Sequence, residues 1–451
     1  MSYKQGALFV YTFGIVMLLF CTISTAAQPV TTRVSVSSEG YPGNSDSGNY
    51  ESLAISGDGR YVAFGSAASN LVANDTNSRH DIFVRDRQTG QTTRVSVSST
   101  GVQGNGDSDG PAITPDGRYI TFRSAATNLI ADDTNSRVDI FVHDRQTGQT
   151  TRVSVSSNGA AGDGDSRYSS ISADGRYVAF NSSATNLDNT VLDFNNANDI
   201  YLHDRQTGNT SLISKSHSNN SPGNKYSYNA VISGNGRYVV FCSQSTTLTG
   251  NSDTNNAEDV FVRDIQAQTT SLVSATPSNS AGNYRSASPA ISYDGRYIAF
   301  QSMATDLVSN DPNIFSDIFV RDRDTNQTTR VSYDTNGNEL TNSVSSAPSI
   351  SADGQYISYY AHNYSVNQDD IFFTDRQTGK TTMVSVNNSG HRGNGFCDFS
   401  AISADGKYVA FESAASNLVD NDITGYLDIF VRGQLVDFPW PMFLPAITGK
   451  K

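Results

Sequence analysis

Ile55-Ser-Gly-Asp-Gly-Arg-Tyr-Val-Ala-Phe64 returns, with small variations, seven times along this chain. The last glycine of its Asp-Gly or Asn-Gly pair falls at Gly59, Gly117, Gly175, Gly236, Gly295, Gly354 and Gly406, at steps of 58, 58, 61, 59, 59 and 52 residues. A recurring period of this size marks a repeat architecture, in which units stack on their neighbours and share one core. It overrides the prior of roughly two or three domains that a chain of 451 residues would otherwise suggest.

Outward from that stretch, each unit carries four short apolar segments. In the first full unit they are 52–56, 60–66, 81–86 and 92–98. Each is rich in Val, Ile, Tyr, Phe and Thr and is bounded by turn residues, which is a strand signature. Tyr61-Val-Ala-Phe64 and Ile82-Phe-Val84 do not alternate, as expected of strands covered on both faces. No window shows sustained helical periodicity. Strands one and two join through Ser56-Gly-Asp-Gly59, and strands three and four through Asp86-Arg-Gln-Thr-Gly90. Both read as tight hairpins whose glycine takes a positive φ. The other two connections, 67–80 and 99–110, are long and fall at the opposite end of the strands. One face is thus trimmed to tight turns and the other elaborated, and elaborated loops on a rigid scaffold are where function usually sits.

The fold expected is all-β: a seven-bladed β-propeller of four-stranded antiparallel blades over residues 28–433. Seven third strands begin at Asp81, Asp139, Asp199, Asp259, Asp317, Asp370 and Asp428. One fourth-strand segment, 31–35, precedes any complete unit, and none follows the last unit. Pairing the N-terminal strand with the C-terminal unit would complete the last blade and remove two open edges.

Residues 1–27 read as an export signal. Lys4 precedes an apolar run from Ala7 to Phe20, followed by small residues before Gln28. The run is short for a membrane span, and bulky Phe20 before Cys21 argues against lipidation. No membrane span is expected in the mature chain, which would be secreted or periplasmic. Residues 434–451 form an apolar, Pro-rich tail with the only Trp, expected to pack across the ring. Cys242 and Cys397 lie in different repeats and read as free buried thiols. The formal net charge of −13 opposes nucleic acid and anionic membranes as partners, because both are bound through clustered Lys and Arg.

Ser172-Ala-Asp-Gly-Arg-Tyr-Val-Ala-Phe180, followed by Asn198-Asp-Ile-Tyr-Leu-His-Asp-Arg-Gln-Thr-Gly208, resembles the WD40-like propeller repeat of TolB-type proteins. The resemblance recurs in all seven units and covers residues 31–432. It implies a periplasmic or secreted propeller used for protein–protein contact. The same repeat also gates catalytic domains in prolyl oligopeptidase-like enzymes, but no hydrolase domain follows it in this sequence.

The strongest polar pattern precedes the third strand. Five units carry Asp-x-Asn-x-x-x-Asp: Asp75/Asn77/Asp81, Asp133/Asn135/Asp139, Asp193/Asn195/Asp199, Asp253/Asn255/Asp259 and Asp311/Asn313/Asp317. The seventh keeps Asp422 and Asp428 around Thr424, and the sixth keeps only Asp370. Three oxygen donors on a turning loop suit a hard cation such as Ca²⁺. The same residues also close turns on their own backbone, and that structural reading is the preferred one. A second pattern, Gly-Asn/Asp-x-x-Ser at 43–47, 104–108, 162–166, 223–227 and 282–286, reads as a compact turn on the elaborated face. The six histidines do not cluster. His143 and His203 stand where other units have Arg85, Arg263 and Arg321, and read as surface variants, while His80, His217, His362 and His391 sit singly in loops. No nucleophile elbow, paired metal-ligand motif or phosphate loop is present.

The function expected is an exported, non-catalytic, monomeric scaffold that binds a protein or glycan through its long-loop face. Two alternatives stand beside it: a propeller enzyme, a polysaccharide lyase or hydrolase, with its site at the central channel, and a structural surface protein whose loops bind Ca²⁺. No cofactor is expected beyond that ion.

Overall fold

The computed structural model describes residues 28–48, 53–131, 133–250, 255–311, 313–433 and 435. Residues 1–27, expected to be an export signal, and the tail apart from Leu435 lie outside the described residues. Seven four-stranded antiparallel sheets follow one another along the chain. Blades 1 to 6 span 53–94, 108–152, 166–212, 227–272, 286–330 and 343–383. Blade 7 is 397–433 with strand β1 (Val30–Arg33) as its outermost member. β1 lies antiparallel to β28 (Asp428–Gly433), with Val30 opposite Gly433 and Arg33 opposite Phe430. The N-terminal strand therefore closes the ring, as the strand arithmetic of the sequence requires. Among the described residues no helix is long and apolar enough to cross a membrane.

The apolar strand residues pack into seven layers, each between two adjacent blades. Ala63, Ile82 and Val84 of blade 1 meet Ile120, Phe122 and Phe141 of blade 2. Val34, Ala410, Ile429 and Val431 of blade 7 meet Leu53, Phe64 and Phe83 of blade 1, which closes the circle. Because each blade is sandwiched, Val62, Ala63 and Phe64 in succession are fully buried, which explains the missing alternation. Each fully buried Phe contributes roughly 1.5–3 kcal/mol.

The repeated turn binds blade to blade. Within it, Ser56 Oγ donates to Asp58 Oδ1 at 2.8 Å and accepts the Tyr61 N–H at 2.9 Å. Arg60 reaches Asp86, at the end of the third strand, through Nε and Nη2 at 2.9 and 2.8 Å. The glycine is needed twice over. Its φ is positive, +72° at Gly59 and +73° at Gly117, and it lies flat against a tyrosine of the preceding blade. A Cβ on Gly117 would run into the Tyr61 ring, and one on Gly59 into Tyr408. The Tyr61 ring also carries two guanidinium groups, Arg60 at 4.7 Å and Arg145 of blade 2 at 4.3 Å. Tyr119, Tyr238 and Tyr297 are sandwiched in the same way. Nearer the axis, the turns of several successive blades join through backbone bonds, such as Gly57 N–H to Pro115 O at 2.9 Å and Ala352 N–H to Ala404 O at 3.0 Å. A sequence motif that reads as a hairpin device is also the clasp of the ring.

Two departures from the strand assignment have local causes. The fourth strand stops at Arg94 rather than running to Ser98, because the chain then bends to form a bridge between Val97 and Gln103. In blade 6 the short second connection reflects longer strands. β22 (Ser343–Ile350), β23 (Tyr356–Asn363) and β24 (Gln368–Asp375) have eight residues each, against six for β19 (Tyr297–Ser302) and β20 (Asp317–Asp322) of blade 5.

Candidate functional site

The Asp-x-Asn loops sit at the outer half of the blades, where the third strand begins. In blade 1, Asn77 Nδ2 donates to Asp81 Oδ2 at 2.8 Å and to Gly104 O of the next blade's approach at 3.0 Å. Arg94, from the fourth strand, places Nη1 2.9 Å from Asp75 and 3.2 Å from Asp81. Ser96 Oγ donates to the other Asp81 oxygen. Blade 2 repeats this with Asn135, Asp133, Asp139, Arg152 and Ser154. Blade 7 repeats its ionic part, with Arg33 2.9 Å from both Asp422 and Asp428. In these three blades a guanidinium occupies the place between the two carboxylates. Blade 6 reaches a similar end by another route. Met383 stands at the arginine position, and Arg392, from the loop leading to blade 7, pairs with Asp370 instead.

Blades 3, 4 and 5 differ. In blade 3, Leu212 replaces the arginine. Asn195 and Ser214 donate to Asp199 at 2.7 and 2.6 Å, and the Tyr201 hydroxyl donates to Asp193 at 3.0 Å. Without a guanidinium, burial pushes the Asp199 carboxyl up to about 7. Blade 4 has Leu272 in the same place, with Asn255 donating to Asp259 at 2.9 Å; Asp253 lies outside the described residues. In blade 5, Asp311 and Asp317 are joined by Glu339, and Asn313 donates to Glu339.

The long-loop mouth of the channel is a different environment. Every first strand from blade 2 to blade 7 is bulged. The bulge puts Gly110, Tyr168, Asn229, Ser288, Ala347 and Phe399 at φ values from +30° to +60°. Non-glycine residues rarely adopt this backbone, and it is a known mark of functional strain. These residues and their neighbours line a cavity of about 290 Å³ on the axis. Towards the same end of the blades, equivalent positions carry unlike side chains, of which Asn181, Cys242 and Glu412 are buried. The second-strand residue four beyond the repeated tyrosine is Gly65, Arg123, Asn181, Cys242, Gln301, Tyr360 and Glu412 in the seven blades. Its neighbour on the first strand is Asp109, Arg167, Tyr228, Ala287 or Asp398 in five of them.

These residues form separate local clusters. Arg123 pairs with Asp109 at 3.0 Å and lies 5.7 Å over the Tyr168 ring. Arg285 pairs with Glu258 at 2.8 Å and donates to the Tyr228 hydroxyl at 3.3 Å, while Tyr226 and Tyr228 lie 5.9 Å apart. In blade 6, Asp369 Oδ1 accepts the Tyr360 hydroxyl at 2.6 Å and lies 2.8 Å from His362 Nδ1. Burial raises the carboxyls of Glu258 and Asp398 above the usual carboxylate range. Burial, reinforced by Asp369, also raises the Tyr360 phenol.

Outside the mouth, the long loops expose large apolar groups. Ile423 is 91% exposed and Phe194 77%, and Leu192, Ile314, Tyr364, Val366 and Phe396 are also exposed. A further cleft, of about 660 Å³, lies at the outer rim of blade 4 beside Leu272 and Arg263.

The histidine assignments need correction. His143 and His203 are not surface variants; both are buried. Each places Nδ1 within hydrogen-bond distance of a fourth-strand threonine, Thr150 at 2.9 Å and Thr210 at 2.8 Å, and burial pushes His203 down to about 4. The arginines they replace, Arg263 and Arg321, are buried as well. His362 is not a loop residue but part of β23, paired to Asp369. Cys242 and Cys397 are both buried, as expected.

No family model matches the sequence, and no curated protein matches it. Solved structures of propellers do. An oligogalacturonate lyase in complex with manganese aligns with a TM-score of 0.55 at 13% identity, over 90% of this chain and 93% of that one. The β-propeller domain of the Trilobed protease from Pyrococcus furiosus aligns with a TM-score of 0.50 at 11% identity, over 86% of this chain and 98% of that one. TolB from Acinetobacter baumannii aligns with a TM-score of 0.39 at 18% identity, over 67% of this chain and 58% of that one. At these identities the likeness is one of fold.

Proposed function

We propose that this propeller is an exported binding scaffold that docks a protein partner on its long-loop face. One observation carries the reading: the loops at this end of the blades expose large apolar groups, Leu192, Phe194, Ile314, Val366 and Ile423 among them, whereas the opposite end is trimmed to tight turns. A scaffold needs no such exposed apolar surface for its own stability, whereas a docked partner would cover it. Aliphatic groups as exposed as Ile423, Leu192 and Ile314 favour a protein over a glycan. Export rests on the leader-like sequence of residues 1–27.

The test compares two surfaces of one folded protein. Phe194→Asp combined with Ile314→Asp and Ile423→Asp should abolish capture of the partner from the native envelope fraction. Gln146→Arg, on an exposed tight turn, should leave capture intact. Equal capture by both variants would remove the long-loop face from consideration, and binding to a glycan array with neither variant affected would move the reading to the channel mouth.

A second reading, an enzyme acting on polysaccharide at the channel mouth, is favoured by the Tyr360–Asp369–His362 cluster near half-buried Asp398. These groups are of the kinds that donate and accept protons in such chemistry. Turnover of acidic and neutral polysaccharides, followed by reducing ends and by the absorbance of unsaturated products, would establish it if Asp369→Asn abolished that turnover.

A further inference from the structure

We propose that blade 5 binds one divalent cation, Ca²⁺ by the nature of its donors, between Asp311, Asp317 and Glu339.

The inference comes from comparing equivalent loops. In blade 1 the two carboxylates are satisfied: Arg94 closes on Asp75 and Asp81 at 2.9 and 3.2 Å, and Asn77 donates to Asp81. The bridging position from the next blade's approach is neutral Gln103, whose Nε2 donates to Thr76 Oγ1 at 2.7 Å. In blade 5 that bridging position is Glu339. Asn313 turns to Glu339. Arg330 stands back, with Nη1 3.6 Å from Asp311, 3.6 Å from Asp317 and 3.3 Å from Glu339. The first two separations are too long for hydrogen bonds.

Two carboxylate oxygens are left over. Asp311 Oδ1 and Asp317 Oδ2 are buried and have no hydrogen-bond partner. Their residues are 7% and 3% exposed. One ligand oxygen from each of the three acids lies within 4.8 Å of the others, about the span across a cation with oxygen ligands at roughly 2.3–2.6 Å. Formally the three acids outweigh Arg330 by two charges. Acids packed this closely call for more counter-charge than Arg330 alone supplies, since an uncompensated buried carboxylate is strongly unfavourable. An all-oxygen set on an irregular loop suits Ca²⁺, which takes further ligands from water. Arg330 supplies one positive charge beside the three acids but hydrogen-bonds neither aspartate; its Nη2 donates to Glu339 Oε2 at 3.3 Å and its guanidinium lies 5.5 Å over the Tyr333 ring. The site is independent of the partner-docking reading.

The test uses the purified full chain, first stripped with chelator and then titrated with CaCl₂ alone. Calorimetry should give one site, and the melting midpoint should rise. Glu339→Gln recreates the neutral bridge of blade 1 and should fold, while weakening Ca²⁺ by about tenfold or more through loss of ligand charge. Asp75→Asn in blade 1 should leave the titration unchanged. Absence of both heat and midpoint shift in the unaltered protein would overturn the proposal. So would an unchanged Ca²⁺ response in both Glu339→Gln and Asp311→Asn, because it would place the ion elsewhere.

Discussion

On the tight-turn face the seven blades present the same residue, position for position: Tyr61, Tyr119, Tyr177, Tyr238, Tyr297, Tyr356 and Tyr408. Four residues further along the same strands, towards the long loops, the occupants are Gly65, Arg123, Asn181, Cys242, Gln301, Tyr360 and Glu412. The uniform end makes the ring. Its tyrosines fill the space above a glycine of the next blade, and its arginines neutralise third-strand aspartates and stack on the tyrosines. The other end also repeats in part, in the Asp-x-Asn loops and in hydroxyl pairs such as Ser108–Ser124 at 2.8 Å with its counterparts Ser166–Ser182 and Ser286–Ser302. Blade-to-blade contact therefore fixes the tight-turn end throughout and leaves particular positions at the long-loop end free to vary.

The sharpest way to break this contrast is to put the same methyl group at both ends. Gly295 and Gly101 have nearly equal φ, +80° and +81°. A Cβ on Gly295 would enter the Tyr238 ring, whereas one on Gly101 meets nothing within 4 Å. Gly295→Ala should cost about 4 kcal/mol, backbone strain plus overpacking. Gly101→Ala should cost about 1 kcal/mol, the strain alone. Denaturant unfolding of the two variants measures the difference directly, and equal costs would mean that the clasp is not under tension.

The second contrast lies within one strand, β12 (Asp199–Asp204). At its long-loop end, burial raises Asp199 to about 7; at its tight-turn end, the Arg176 guanidinium lowers Asp204 to about 2. The signs follow from proton linkage. Between the ordinary carboxylate value near 4 and pH 7, unfolding releases the Asp199 proton, so stability falls as pH rises, by up to about 1.4 kcal/mol per unit. Asp204 stays ionised when folded, so its contribution is present above about pH 4 and is lost as pH falls towards 2. Asp199→Asn should flatten the profile between pH 4 and 7, and Asp204→Asn should flatten it only below pH 4. Unfolding midpoints across pH for the two variants test both assignments.

These contrasts also mark what was legible in the sequence. The seven Asp/Asn-Gly turns, the four apolar segments and the spare strand at 31–35 are local signals, and they suffice for blade number, strand order and closure. The clasp was not legible, because the partner of Gly117 is Tyr61, one blade back, and no local pattern links them. Nor were the bulges at Tyr168, Asn229, Ser288 and Phe399, since one extra residue in a strand leaves its composition unchanged. His143 was misread as exposed because arginine at the equivalent positions suggests solvent. The segment following the preceding blade's fourth strand covers that site in blade 1, where Ser37 O accepts from Arg85 Nη1 at 2.8 Å. For the Asp-x-Asn loops, spacing displayed the oxygen donors but not Arg94, at the end of the fourth strand, and Ser96, just beyond it, which approach them.

Removing one guanidinium from each face gives a smaller effect. Arg323→Met removes a cation 4.2 Å above Tyr238 and a hydrogen bond of 2.7 Å to Gly295 O, and should cost roughly 1–2 kcal/mol. Arg123→Met, at the channel mouth, removes a partly exposed ion pair and should cost about 0.5 kcal/mol. Thermal unfolding resolves the two. A larger loss for Arg123→Met would make the mouth part of the scaffold and weaken the case that its variation serves a ligand.

The smallest stability effect is expected where the functional effect is greatest. Phe194 and Ile423 stand at the middle position of Asp-x-Asn and Asp-x-Thr, where blade 1 has Thr76. Both are largely exposed. Neither belongs to the apolar layers between blades. Replacing both with Asp should change unfolding free energy by no more than about 0.5 kcal/mol. A loop residue with no structural duty should favour a polar side chain, because exposed aliphatic surface gains nothing for the folded state and invites association. If the double variant loses stability on the scale of Gly295→Ala, these groups are packing elements and the rim is scaffold. If stability holds while partner capture is lost, the long-loop face is the end of the blades that works on something other than the propeller itself.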